Sequence, residues 1–112
     1  MARPLAFGYV SIPPDAPEDQ AQRWQQEIAT FVDAEGHQLA GVFTDVRGNG
    51  AQAFEAMARA LGVGTISEVV VPRLEHLEHV PGFGPADVRL LARYLHAHVV
   101  SVEEPVGHAA RR

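Results

Sequence analysis

Ser11, Arg47, Arg73, Glu75, His76 and His79 are the side chains whose types could do chemistry. An enzyme needs such groups to converge as a nucleophile beside a base, and none of these residues stands at a recognisable nucleophile-base spacing. His76 and His79 alternate with Glu75 and Glu78. In a helical turn, residues three apart share a face and could offer nitrogen and oxygen ligands to a divalent metal. No fixed zinc motif is matched, so the simpler expectation is a solvated stretch between a strand and a helix, with no metal and no cofactor. Gly48-Asn49-Gly50, with Arg47 beside it, could present backbone N–H groups and charge to a phosphate, and Arg73 is a second candidate for an anion. Without a longer glycine pattern or an acidic ribose partner, the same three residues read as a turn. His96 and His98 straddle a helix end and a strand start, where an imidazole interacts favourably with the helix dipole.

The elements that must position these groups follow from periodicity. Leu5 to Ile12 is apolar, contains aromatic and β-branched residues, and stops at Pro13-Pro14, so a buried first strand is expected. Asp15 and Glu18 have capping-box spacing and Pro17 suits a first turn, which predicts a helix beginning there. Ala21, Trp24, Ile28, Phe31 and Val32 form its apolar stripe, with Trp24 expected in the core rather than as a stacking platform, and Gly36 is placed to end the helix. Gln38 to Val46 reads as a second strand, and Ala51 to Leu61 as a second helix through Phe54, Met57, Ala58 and Leu61. Ile66 to Val71 has the β-branched density of a strand covered on both faces. After a polar stretch, a third helix is expected from Pro85 through His96, with Val88, Leu90, Leu91 and Leu95 as its stripe, and His98 to Val102 as a fourth strand. Strands alternating with helices at this spacing predict right-handed crossovers: an α/β fold of three layers, αβα, with a parallel sheet of about four strands in the order 2-1-3-4. Chemistry would then sit in the loops after the first and third strands, beyond their carboxyl ends. Residues 1–103 are expected to form this domain and residues 104–112 a mobile tail.

Composition bounds what such a domain can do. The 112 residues are 46% hydrophobic and 21% charged, enough for one core and not two. Fourteen acidic residues against nine basic ones, all Arg, leave a net charge of −5. That balance opposes the counterion-release term of nucleic-acid binding, so DNA binding by this chain alone is not expected. With no cysteine there is no disulfide framework, thiol nucleophile or Cys-ligated zinc. No run suits a secretory core or a membrane span, and a cytoplasmic protein is expected.

Three segments in order, FGYVSIPP, VFTDVRGNG and EVVVPRLEHLEH, resemble the catalytic domain of the serine recombinases, the resolvase and invertase family, over about residues 5 to 103. In that family the first segment reads approximately FGYARVST, with an Arg two residues ahead of the nucleophilic Ser. The third reads approximately VVVxKLDRLGR. Laid over this chain, Gly8 and Tyr9 match, Ser11 occupies the Arg position, and Pro13 takes the place of the nucleophile. Arg73 and Leu74 match, Glu75 stands for the Asp, and His76 and His79 stand where two arginines are expected. Phe43-Thr44-Asp45 resembles the ending of the family's second strand. The arginine expected just before the second helix has no counterpart among Gly50, Ala51, Gln52 and Ala53.

The resemblance implies a resolvase-like fold, with a generic flavodoxin-like domain as the alternative. It also implies a chain without recombinase activity. Attack on a phosphodiester needs an activated hydroxyl in line and several guanidinium groups, and loss of one such donor typically costs about a hundredfold or more. A shift from the position of Pro13 back to Ser11 keeps the sheet face but moves the hydroxyl roughly 6 to 7 Å along the strand. The family's long dimer-forming helix and separate DNA-binding domain are not expected here, the sequence running nine residues past Glu103. The expected function is a catalytically inactive module that binds a protein partner or itself, through the third helix and its neighbouring edge strand. The other reading is a small α/β enzyme, or a phosphate- or nucleotide-binding protein, using the loops after the first and third strands.

Overall fold

A computed structural model of the chain describes residues 3–78, 80 and 88–103. Four strands, β1 (Leu5–Ile12), β2 (Gln38–Val46), β3 (Glu68–Val71) and β4 (His98–Ser101), pair in parallel in the order β2-β1-β3-β4. The crossovers carry α1 (Gln20–Ala34), α2 (Gln52–Val63), a short turn α3 (Glu75–Glu78) and α4 (Val88–Leu95). The three-layer architecture and the strand order are those the periodicity predicts. The expected start of the third helix at Pro85, the residue His79 and the tail 104–112 lie outside the described residues.

Alternation along β1 divides the core. Ala6 and Val10 join Ile28 and Val32 of α1, while Phe7 and Tyr9 join Phe54, Met57 and Leu61 of α2 and Leu91 and Leu95 of α4 on the other side. Gly8 lies where α1 crosses: a Cβ there would stand 3.0 Å from Ile28 Cγ2 and 3.2 Å from Val42 Cγ2, so only glycine lets the helix approach this closely. Between Ala6 and Phe7 the β1–β2 register shifts, leaving Ala40 as an extra residue in β2.

Several boundaries differ from those predicted. The Asp15–Glu18 capping box does not form. Ala16, preceding Pro17, is pushed away from helical geometry, and the segment makes separate turns, Ala16 N–H to Pro13 O and Gln20 N–H to Pro17 O. The helix therefore starts at Gln20, capped by Asp19 without a side-chain bond. Its end is as predicted: Gly36 adopts φ +80° and its N–H bonds Asp33 O, while His37 N–H reaches Val32 O. α4 ends the same way, with His96 at φ +56°, its N–H on Arg93 O, and Ala97 N–H on Ala92 O. Leu90 is not part of the buried stripe of α4 but stands on its exposed side, and Ile66 and Ser67 precede β3 instead of belonging to it. The stretch after Arg73, expected as a loop, contains α3 because Leu77 and Val80 are drawn into the core shared with α2 and α4.

Candidate functional site

The carboxyl ends of β1, β2 and β3 bring together Tyr9 and Ser11 from β1, Asp45 and Arg47 from the end of β2, and His76 from α3. Parallel pairing sets Tyr9 opposite Phe43 and Ser11 opposite Asp45. A bond of 2.8 Å from Arg47 N–H to Ile12 O extends the ladder by one residue beyond β2. Arg47 then turns back, its Nε donating to Ser11 Oγ over 3.1 Å. Ser11 is only 2% exposed. Its own N–H donates to His76 Nδ1 over 2.9 Å.

His76, expected on a solvated face, is fully buried, whereas Glu75 and Glu78 on the same turn are exposed. The physical reason lies in α3: a four-residue turn anchored by Leu77 aims His76 at the sheet instead of outward. Its ring meets the edge-to-face Trp24 indole at 4.5 Å between centroids. Trp24 is half-buried against the α1 side of the core, as expected of a packing residue. Because Nδ1 accepts a hydrogen bond, it carries a lone pair, and the neutral ring holds its proton on Nε2. The imidazole thus presents its acceptor to a backbone N–H and not to the hydroxyl of Ser11.

Asp45 is the member of the cluster that spacing did not single out. Ala51, at the start of α2, has no side-chain cap, and Asp45 supplies one from the end of the strand: Oδ1 accepts from Ala53 N–H at 2.9 Å and Oδ2 from Phe54 N–H at 3.0 Å. The carboxylate meets the positive end of the helix dipole. Tyr9 adds a third donor, its hydroxyl 2.8 Å from Oδ2. Burial first, and then the hydrogen bond and charge of Asp45, push the Tyr9 phenol far above its ordinary range, so it remains a hydrogen-bond donor at physiological pH. The sequence signals for Asp45 were the likeness of Phe43-Thr44-Asp45 to the family's second-strand ending and its position just before a Gly-rich loop and an uncapped helix.

The candidate anion-binding residues are drawn inward or balanced by acids. Gly48, Asn49 and Gly50 form an exposed turn, but the first free N–H groups of α2 point at Asp45. Arg73 pairs with Glu103 at 3.1 Å and reaches Glu75 at 4.0 Å. Pro13 follows β1 and is half-buried, with no hydroxyl to offer. Among the described residues no three His, Cys, Asp or Glu side chains are arranged to hold a metal ion, and no helix is long and apolar enough to cross a membrane.

The sequence matches no protein-family model and no curated protein. The structure is similar to the C-terminal catalytic domain of ISC1926 TnpA, an IS607-like serine recombinase. The TM-score is 0.71 and the identity 14%, over 96% of this chain and 75% of that one. It is also similar to the N-terminal catalytic domain of TP901-1 integrase, with a TM-score of 0.65 and 16% identity, over 89% of this chain and 78% of that one. Both likenesses span most of each chain, and this chain has the resolvase-like α/β fold of serine recombinase catalytic domains.

Proposed function

We propose that this chain is a catalytically inactive serine-recombinase-like domain serving as a protein-interaction or regulatory module. The observation that carries the reading is the state of the β1 terminus. Pro13 stands where the family resemblance puts the nucleophilic hydroxyl. Ser11, two residues back, is buried with its Oγ held by Arg47 and its backbone N–H held by His76. In-line attack on a phosphodiester needs a hydroxyl that is both accessible and deprotonated as it reacts. Ser11 lacks access, and the nearest imidazole gives its acceptor nitrogen to the backbone. The family's arginine positions carry His76 and His79, so the guanidinium charge that would stabilise a transferring phosphoryl group is missing there as well.

The fold supports descent from an enzyme that works on DNA, while the net charge of −5 argues against DNA binding by this chain alone. The phosphate-binding alternative draws less support, since Asp45 takes the α2 donors and Glu103 balances Arg73. No cofactor enters the reading, and the cysteine-free composition suits the cytoplasm. The test is relaxation of supercoiled plasmid by the purified chain, with Ser11→Ala as control. The expected result is no nicking by either protein, and nicking that disappears in Ser11→Ala would overturn the reading.

A further inference from the structure

We infer that Asn49 is a site of spontaneous covalent modification, where the backbone nitrogen of Gly50 closes on the side-chain amide and a neutral residue becomes an acid. This chemistry belongs to the turn between β2 and α2, and it holds whether or not the domain acts on DNA or binds a partner.

The chain contains a single asparagine among its 112 residues, and a glycine follows it. Both lie in the exposed turn Gly48-Asn49-Gly50. Asn49 N–H donates to Val46 O over 3.1 Å and closes the turn, while Gly48 and Gly50 on either side adopt φ of +91° and +86°. These left-handed angles suit glycine, so the shape of the turn keeps a residue without a side chain directly after Asn49. Nothing shields that junction. No heavy atom stands within 4 Å of where a Cβ would sit on Gly48 or Gly50, so water reaches the turn and the Asn49 side chain has room to swing back. Among the described residues the Asn49 amide takes no hydrogen bond, in contrast to Asp45, whose carboxylate is held by Tyr9, Ala53 and Phe54.

Ring closure joins Gly50 N to Asn49 Cγ. The bond from Cγ to the side-chain nitrogen breaks, and that nitrogen leaves as ammonia with the proton given up by Gly50. The product is a succinimide. One water then opens it at either carbonyl, giving aspartate in the ordinary chain or isoaspartate, in which the backbone runs through the side chain. Water is the only co-reactant, and nothing is oxidised or reduced. An amide nitrogen attacks only as it loses its proton, so hydroxide drives the first step. The product adds one negative charge to a net charge of −5. It does so two residues from Arg47, whose Nε holds Ser11 Oγ, and just ahead of the positive end of α2. The modification thus changes the charge at the mouth of the sheet's carboxyl end without any enzyme.

Ageing of the folded full chain in mildly alkaline buffer, followed by mass spectrometry, tests this. Trypsin releases the peptide Gly48–Arg59, which is compared with the same peptide made synthetically and aged in parallel. The folded chain should gain the mass difference between an amide and an acid at Asn49, at a rate within about tenfold of the free peptide. Chromatography should resolve aspartyl and isoaspartyl forms. Isoaspartate arises only through the ring, so its presence separates ring closure from plain hydrolysis. Asn49→Gln, which needs a larger ring, should stay unmodified. Gly50→Ala sets a methyl group beside the attacking nitrogen and should slow conversion about tenfold or more, with circular dichroism to check that the variant is folded. A folded chain that stays intact while the free peptide converts overturns the proposal. So does an acid at position 49 without isoaspartate, or a folded Gly50→Ala that converts as fast as the parent chain.

Discussion

The carboxyl end of the sheet and the outer face of α2 use the same kinds of polar groups in opposite ways. At the sheet end, Asp45 accepts three hydrogen bonds, Ser11 is held from both its N–H and its hydroxyl, and His76 is buried beneath Trp24. On α2, Glu55 and Arg59 stand in solvent without ion-pair partners among the described residues. Groups satisfied internally stabilise a fold and are unavailable to a ligand, whereas unsatisfied surface groups contribute little to folding and remain open to a partner. The place where this fold would position chemistry is thus tied up in internal hydrogen bonds, whereas the outer face of α2 keeps its charges in solvent.

Mutation separates the two regions. Asp45→Ala should have the largest effect, about 3 kcal/mol of lost stability in urea denaturation, because it strands two N–H groups of α2 and the Tyr9 hydroxyl at once. Glu55→Ala, by contrast, should change stability by less than about 0.5 kcal/mol. An equal cost at the two sites would erase the distinction between them. His76→Leu keeps an apolar body of similar size but leaves the Ser11 N–H without its acceptor, and about 2 kcal/mol should be lost in the same measurement.

Alkaline titration sharpens the contrast from another side. Below the ordinary phenol range, about pH 10, Tyr9 is protonated both folded and unfolded and adds no pH dependence. Above it the unfolded chain ionises first, because burial and Asp45 hold the native phenol protonated, so stability should fall as pH rises. In a Tyr94→Phe background, which leaves Tyr9 as the sole tyrosine, phenolate absorbance should appear only together with unfolding, as followed by circular dichroism. Absorbance rising near pH 10 in a folded protein would contradict that wiring. The smallest effect at the sheet end belongs to Ser11→Ala, which removes one acceptor from the half-exposed Arg47 side chain and should lower stability by about 1 kcal/mol in thermal melts.

Much of the scaffold was legible because it rests on periodicity. β1 and β2 have the predicted bounds, Gly36 ends α1 in a left-handed turn, and the apolar density of Val69 to Val71 marks the strand buried on both faces. Local signals failed where a stronger local constraint or a tertiary contact outweighed them. Asp15 and Glu18 had the spacing of a capping box, but the prolines around them impose turns. Glu75 to Glu78 read as a polar loop because its one apolar residue, Leu77, with the flanking Leu74 and Val80, is too few for a periodic pattern. The same limit hid the site. Nothing in the spacing of His76 announces that the N–H it accepts from lies 65 residues upstream on β1, or that Asp45 caps a helix from the preceding strand. The resemblance to the recombinases put Ser11, Pro13 and His76 at one place in the fold, but only coordinates gave the direction of each hydrogen bond.

The most direct test of the central claim is a covalent trap. The chain is incubated with duplex DNA, quenched in denaturant, and its intact mass measured for attached nucleotides, with Ser11→Ala alongside. The account predicts unmodified protein in both samples, and a nucleotide adduct present in the wild-type chain and absent from Ser11→Ala would contradict it.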